Sequence, residues 1–179
     1  MKRLFFLIFL VLSGCTGIPD NITAVEGFEI ERYLGTWYEI ARLDHSFERG
    51  LSHVKATYTL REDGGIDVVN RGFHREDGKW EEARGKAYFI SDPGVGRLKV
   101  SFFGPFFGAY NIIALDKENY GYSMVCGPSR SYLWVLARRK TVHQEVLSSL
   151  LFLARDLGFE TDKLIYVDHG DVPQSAYGQ

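Results

Sequence analysis

The chain is poor in the residues that mark several common small-protein classes. Its 179 residues include two cysteines, too few for a disulfide scaffold or a Cys-rich metal module. Five histidines, at 45, 53, 74, 143 and 169, stand at no metal-ligand or Cys–His spacing. Neither sign of charge is in excess. The 21 Lys and Arg against 23 Asp and Glu give a net charge of −2, without the clustered basic surplus of a nucleic-acid binder. Long apolar runs are also missing: the longest, Leu4 to Leu12, falls well short of the ~20 residues a spanning helix needs. No Gly-rich phosphate loop precedes a helix, and no Gly-x-Ser-x-Gly elbow occurs. The sequence therefore offers no catalytic constellation, no metal site and no cofactor motif, and is expected not to be an enzyme. What it has in quantity is aromatics: 13 Phe, 10 Tyr and 3 Trp, 15% of the chain.

The first residues form a separate unit. Met1-Lys2-Arg3 is basic, Leu4 to Leu12 apolar, and Leu12-Ser13-Gly14-Cys15 closes the run with small residues. That layout predicts a secretory signal over residues 1–14. Leu-Ser-Gly-Cys also resembles the lipobox of bacterial lipoproteins, which implies cleavage before Cys15 and acylation of its thiol and new amine. The alternative is an ordinary cleavable signal ending near Gly14. One acyl chain holds a protein only marginally to a bilayer, whereas two or more anchor it stably. Thr16, rather than Asp, follows Cys15, and by the same resemblance this favours the outer membrane, on its periplasmic face. Residues 15–27, with Pro19, Asp20 and Asn21, form a polar tether able to hold a domain off the lipid surface, and residues 28–179 form that domain. Cys126 is then the one thiol left, expected to be buried and inert.

Short β-rich segments follow at regular spacing: 35–43, 53–61, 66–73, 80–90, 97–103, 110–115, 122–126 and 132–138. Asp63-Gly64-Gly65, Asp92-Pro93-Gly94 and Gly127-Pro128-Ser129 supply turn chemistry between them. In the second segment Val54, Ala56, Tyr58 and Leu60 alternate with His53, Lys55, Thr57, Thr59 and Arg61. Such a period of two marks a strand with one face in water. Eight consecutive strands with short connections predict an all-β fold, an up-and-down antiparallel barrel whose closure removes the sheet edges. One segment departs from this. Val142, Val146, Leu147, Leu150, Leu151, Ala154 and Leu157 recur at helical spacing, with a Thr141/Gln144 capping box and Gly158 as the stop. They predict one C-terminal α-helix packed outside the barrel, followed by a short ninth strand over 164–167.

Gly35-Thr36-Trp37-Tyr38 on the first strand resembles the Gly-x-Trp motif of the lipocalins. Tyr33 to Ala41 and Phe47-Glu48-Arg49-Gly50 resemble its form in bacterial lipocalins and apolipoprotein D. Arg138, closing the eighth strand after Leu133-Trp134-Val135-Leu136-Ala137, matches the arginine that packs over that tryptophan. The usual Thr-Asp-Tyr motif is reduced to Leu115-Asp116-Lys117, so only Asp116 carries over, as a turn residue at the closed end. The resemblance spans about residues 28 to 168. It implies structural roles for Gly35, Trp37, Asp116 and Arg138, with Arg138 over the Trp37 ring gaining about 0.5–2 kcal/mol of cation–π energy.

An eight-stranded barrel holds either a filled core or one small ligand. Trp134 shares the face of Arg138 and, at ~3.3 Å per residue, stands ~13 Å above the plug, which makes it the leading ligand contact. Tyr132 and Leu136 share that face. Tyr58 on strand two and Phe107 at the rim complete the apolar candidates. Strand parity also places Trp37, Glu39 and Ala41 inward, with Glu39 meeting either a ligand head group or an arginine such as Arg84. The mouth is formed by loops 44–52, 74–79, 104–109 and 127–131. Phe102, Phe103, Phe106 and Phe107 crowd the third, to admit acyl chains, dock on a bilayer or join two copies. His45, Arg49, His74, Arg75 and Arg130 on these loops are candidates for an anionic head group. The leading expectation is a carrier for a fatty acid or lysophospholipid, tethered to the outer membrane through Cys15. The alternative is a protein-interaction or homodimerisation module with a filled barrel and a Phe rim.

Overall fold

The computed structural model of the chain describes residues 16–171. The signal segment, Cys15 and residues 172–179 lie outside the described residues. Eight strands close into an antiparallel barrel: β1 (Gly35–Arg42), β2 (Leu51–Leu60), β3 (Ile66–His74), β4 (Lys79–Phe89), β5 (Arg97–Phe103), β6 (Phe106–Leu115), β7 (Tyr122–Cys126) and β8 (Leu133–Ala137). Each pairs with its neighbour in sequence, and β1 pairs with both β2 and β8. A four-residue helix α1 (Ile30–Tyr33) precedes the barrel, and α2 (Gln144–Asp156) follows it. The last strand, β9 (Ile165–Tyr166), pairs with the upper part of β1. There β2 has left the edge of β1, whose pairing with β2 ends at Tyr38.

Bulges are where the observed side-chain directions leave the simple alternation. The extra residue in a bulged strand reverses the faces of everything beyond it. In β1 the register with β8 shifts between Glu39 and Ala41. Ala41 accordingly packs in the outer core beneath α2, and Arg42 takes the inward position expected for Ala41. In β2 the register with β3 shifts between Ser52 and Lys55, and His53 adopts φ +54°. His53 is therefore buried rather than on the watery face. Leu60, expected on the buried face with Ala56 and Tyr58, is exposed at the far end of the strand, where the bulge plays no part.

The β5–β6 connection is tighter than the sequence suggests. Phe106 already belongs to β6 and pairs with Phe103, so Gly104 and Pro105 alone form a tight hairpin turn and residues 106–109 are strand rather than loop. The pairing of β4 with β5 is short, covering only Lys86 to Phe89 of β4. Above it, Lys79 to Gly85 pair with β3 alone, and a lateral seam opens toward the mouth.

Two apolar cores hold the barrel. The inner one fills its closed end with Phe28, Tyr33, Trp37, Ile66, Leu98, Ile112 and Val125. The outer one joins Met124, Cys126, Leu133, Val135 and Ala137 to Leu150 and Ala154 of α2 and to Phe159. The outward face of β8 thus meets the helix, as its alternation predicts. The capping box does not form: the helix begins after His143 with no side-chain cap. Its other end is built as expected. Gly158 has φ +83°, its N–H donates to Arg155 O, and Phe159 N–H donates to Ala154 O, the bonding of a Schellman stop.

The segment before the barrel is packed rather than held free. Ile22 and Phe28 are buried and Ile18 packs on the outer core. The chain is bonded along β6 through Val25 N–H to Ile112 O, then to the β4–β5 turn through Phe28 N–H to Gly94 O.

Candidate functional site

The closed end is sealed by stacked polar and aromatic groups. Trp37 is fully buried, and its indole Nε1 donates to Tyr33 O at 2.8 Å. The Arg138 guanidinium lies 4.1 Å from the Trp37 ring centroid and donates to Thr36 O, Arg32 O and Tyr120 O. Gly35, at φ +91°, brings the backbone past this arginine, and a Cβ there would lie 3.4 Å from Nη1. The Asp116 carboxylate accepts the N–H groups of Glu118, Asn119 and Gly121, tying the β6–β7 turn. Above the plug, the Tyr110 hydroxyl joins those of Tyr33 at 2.8 Å and Tyr58 at 2.9 Å. Burial pushes the Tyr33 phenol up to about 12 and raises the other two, so all three stay neutral.

Over this floor the barrel encloses a cavity of about 660 Å³. Its lining includes all six expected ligand contacts: Glu39, Tyr58, Phe107, Tyr132, Trp134 and Leu136. Val54, Val68, Val100 and Phe102 supply much of the remaining apolar wall. Among the described residues the barrel is not filled, contrary to the premise of the interaction-module alternative. The Phe cluster divides as a strand must: Phe102 and Phe107 are half-buried, while Phe103 and Phe106 stand out at the hairpin tip.

A polar knot sits on one wall below the mouth. Glu39 does not meet Arg84, which pairs on the surface with Glu82. Its partner is the buried Arg42, at 2.7 Å, brought inward by the β1 bulge. Arg42 also donates to Glu48 O, and the Glu48 carboxylate accepts the Trp134 indole N–H at 3.0 Å. The His45 ring stacks on Phe47 and on Tyr132, each at 5.1 Å, and lies 4.7 Å from Trp134. Burial raises the Glu39 and Glu48 carboxyls, and the charge of Glu48 raises Glu39 further. Burial first, then the Arg42 charge, lowers His45 to about 4, so the imidazole is neutral.

The other mouth cations proposed for an anionic head group are engaged elsewhere. Arg49 pairs with Asp44, Arg75 with Asp168 and His74 with Asp77. Arg130 donates to Leu157 O and Asp20 O. His74, Asp77 and Glu81 bring one ligand atom each within 4.8 Å of one another, on a hairpin whose own ion pair accounts for the approach. Cys126 is buried, as expected, and burial pushes its thiol up to about 12.

The roles of Arg42 and Glu48 are missing from the sequence reading. Arg42 interrupts the apolar run Ile40-Ala41-Arg42-Leu43, and that interruption was the available signal. Glu48 carried none, since a loop carboxylate reads as solvated until the loop folds back over Arg42.

A family model described as a lipocalin-like domain matches residues 28–169. The chain is 53% identical over 168 residues to the outer membrane lipoprotein Blc of Vibrio cholerae, covering 93% of this chain and 98% of that protein. It is 54% identical over 160 residues to the protein of the same name from Escherichia coli K12, covering 89% and 90% respectively. Among solved structures, insecticyanin from the tobacco hornworm Manduca sexta superposes with a TM-score of 0.71 at 21% identity, over 87% of this chain and 88% of that one. That last likeness speaks for the fold alone. With a closed eight-stranded barrel, a tryptophan plug under an arginine, an outer helix and a matching family model over most of its length, the chain belongs to the lipocalin-like family.

Proposed function

We propose that this chain is a non-enzymatic lipid carrier of the outer membrane, anchored on the periplasmic face through acylated Cys15, that holds a fatty acid or lysophospholipid in its barrel. The observation that carries the reading is the cavity of about 660 Å³, lined mainly by apolar side chains above the Trp37 plug. Its volume falls within the ~300–1,000 Å³ of small-molecule sites. Each CH₂ moved from water into such a lining contributes about 0.8 kcal/mol, so an acyl chain is held by its length rather than by one contact. The names of the Vibrio cholerae and Escherichia coli relatives, outer membrane lipoprotein, support the location.

Titration of the purified protein with lysophospholipid and with fatty acid, followed by tryptophan fluorescence, tests this. Saturable binding is expected, with most of the spectral change carried by Trp134. Trp134→Ala removes that change and weakens binding by about 1–2 kcal/mol, roughly five- to thirty-fold in Kd. No saturable response to either lipid overturns the carrier reading.

A further inference from the structure

The chain enters the barrel from its mouth end. The backbone oxygen of Gly17 accepts a hydrogen bond from Asn111 Nδ2, which also donates to the carbonyls of Cys126 and Gly127. Cys126 is the mouth-side end of β7, and Gly127 begins a mouth loop that lines the cavity. Arg130, on the same loop, holds Asp20 O at 2.7 Å. From there the segment descends along β6 to the closed end. Cys15 is two residue steps from the bonded Gly17, with Thr16 between them, a reach of about 7 Å at ~3.3–3.6 Å per residue.

The exposed Phe side chains stand on the same end. From Asn111 to Phe106, β6 rises five residues, ~16 Å along the strand. With barrel strands tilted by ~35–45°, that is ~12 Å along the axis. At its tip Phe103 is 81% and Phe106 60% exposed, and Phe47 on the β1–β2 loop, across the mouth, is 63% exposed. The chain length available to Cys15, about 7 Å, and the projection of the tip, ~12 Å, are of the same order.

From this we infer that the barrel docks mouth-down on the bilayer that carries its own anchor, with Phe103 and Phe106 inserted at the interface. The inference rests on the Cys15 anchor of the proposed function. The β5–β6 tip lies next to the anchor side, β7–β8, in the strand order. The β3–β4 hairpin tip, with exposed Arg75, Glu76, Asp77 and Lys79, lies across the lateral seam, so the barrel tilts toward the apolar Phe tip and away from the charged one. Phe rings with no charge beside them at the tip suit an acyl–headgroup boundary, and the cavity then opens toward a source of lipid instead of toward water.

The test uses the full lipoprotein in phosphatidylethanolamine–phosphatidylglycerol vesicles at low protein density. A nitroxide is placed at Phe103→Cys or, at the closed end, at Asn119→Cys. Both positions are exposed, and the native Cys126 is buried. The label at 103 is expected to lose several-fold in collisions with a water-soluble nickel chelate and to gain collisions with lipid-soluble oxygen, relative to the label at 119. Adding Phe47→Ser and Phe106→Ser, both at exposed positions, is expected to restore much of the nickel contact.

Equal nickel contact at 103 and 119 in protein that floats with the vesicles overturns the docking and leaves the anchor standing. Protection of 119 instead of 103 also overturns it. So does spin–spin broadening at 103 without oxygen gain, which would assign the Phe rim to a second copy. Protein that does not float removes the anchor and the orientation together. The fluorescence titration judges the cavity separately.

Discussion

Arg42 concentrates the electrostatics of this barrel in one side chain. It is 1% exposed and stands between two buried carboxylates, bonded to the Glu39 side chain and to the Glu48 backbone. Removing one member of a buried charge group leaves the rest uncompensated and costs about 3–5 kcal/mol. Arg42→Met is expected to show that loss in urea melts at pH 8 and a smaller one at pH 5. The sign follows from the carboxyls, whose folded pKa values are raised. Such groups contribute stability that is fully present below the unfolded carboxylate pKa, and it is lost as pH rises through the folded value. Without Arg42 the folded values rise further, so acidification relieves the variant more than the wild type. His45 works the other way. Lowered to about 4, it contributes stability above its unfolded pKa of ~6.5, lost as pH falls toward the folded value. Because the Arg42 charge is part of that lowering, His45 titrates closer to its unfolded value in the variant, which therefore loses less from this group on acidification, in the same direction as the carboxyls. A variant deficit that is unchanged or larger at pH 5 would contradict the assignment.

At the scale of elements, the stop of α2 is the feature most open to a single change. Gly158 sits at φ +83°, and a Cβ there would lie 3.1 Å from Arg130 Nε, the group that bonds Leu157 O. Gly158→Ala is expected to cost about 1–2 kcal/mol in thermal or urea unfolding while leaving lipid binding intact, because neither Gly158 nor Arg130 lines the cavity. This stop was legible because a glycine past the last helical apolar residue has one common reason to be there. The eight strands were legible for a similar reason, most of the apolar alternations ending at or near Gly, Pro or Asp, although the eighth runs into Arg139-Lys140. Bulges were not. Whether Ile40 or Ala41 takes the extra place depends on partners from β8 and β9 that are more than 90 positions away, and local pattern holds no record of them. The Thr141/Gln144 box misled because capping chemistry was present without the helix beginning there. The polar knot shares the cause of the bulge: once Arg42 faces inward, Glu39 and Glu48 gather round it.

The whole molecule is solid at its base and hollow above. Both apolar cores, at the closed end and under α2, are built from the chain's own side chains, so the barrel is expected to fold without a ligand. Occupancy then adds stability through mass action, about 2.7 kcal/mol at a ligand concentration of 100 Kd. For a domain of this size each kcal/mol moves Tm by roughly 2–4 °C. Calorimetry with saturating lysophospholipid should therefore show a rise of about 5–11 °C, much reduced for Trp134→Ala at the same lipid concentration.

The lateral seam has a consequence of a different kind. Closing a sheet into a barrel abolishes its edges, yet here β4 keeps one from Lys79 to Arg84, where no β5 partner covers it. An uncovered strand invites a neighbouring molecule to continue the sheet. In this stretch Lys79, Glu81, Glu82 and Arg84 are all exposed, and Glu82 and Arg84 form an ion pair at 2.6 Å. A strand adding itself there would have to accommodate charges of both signs crowded along the edge. The opening that widens the container is thus guarded against polymerisation by the residues that border it.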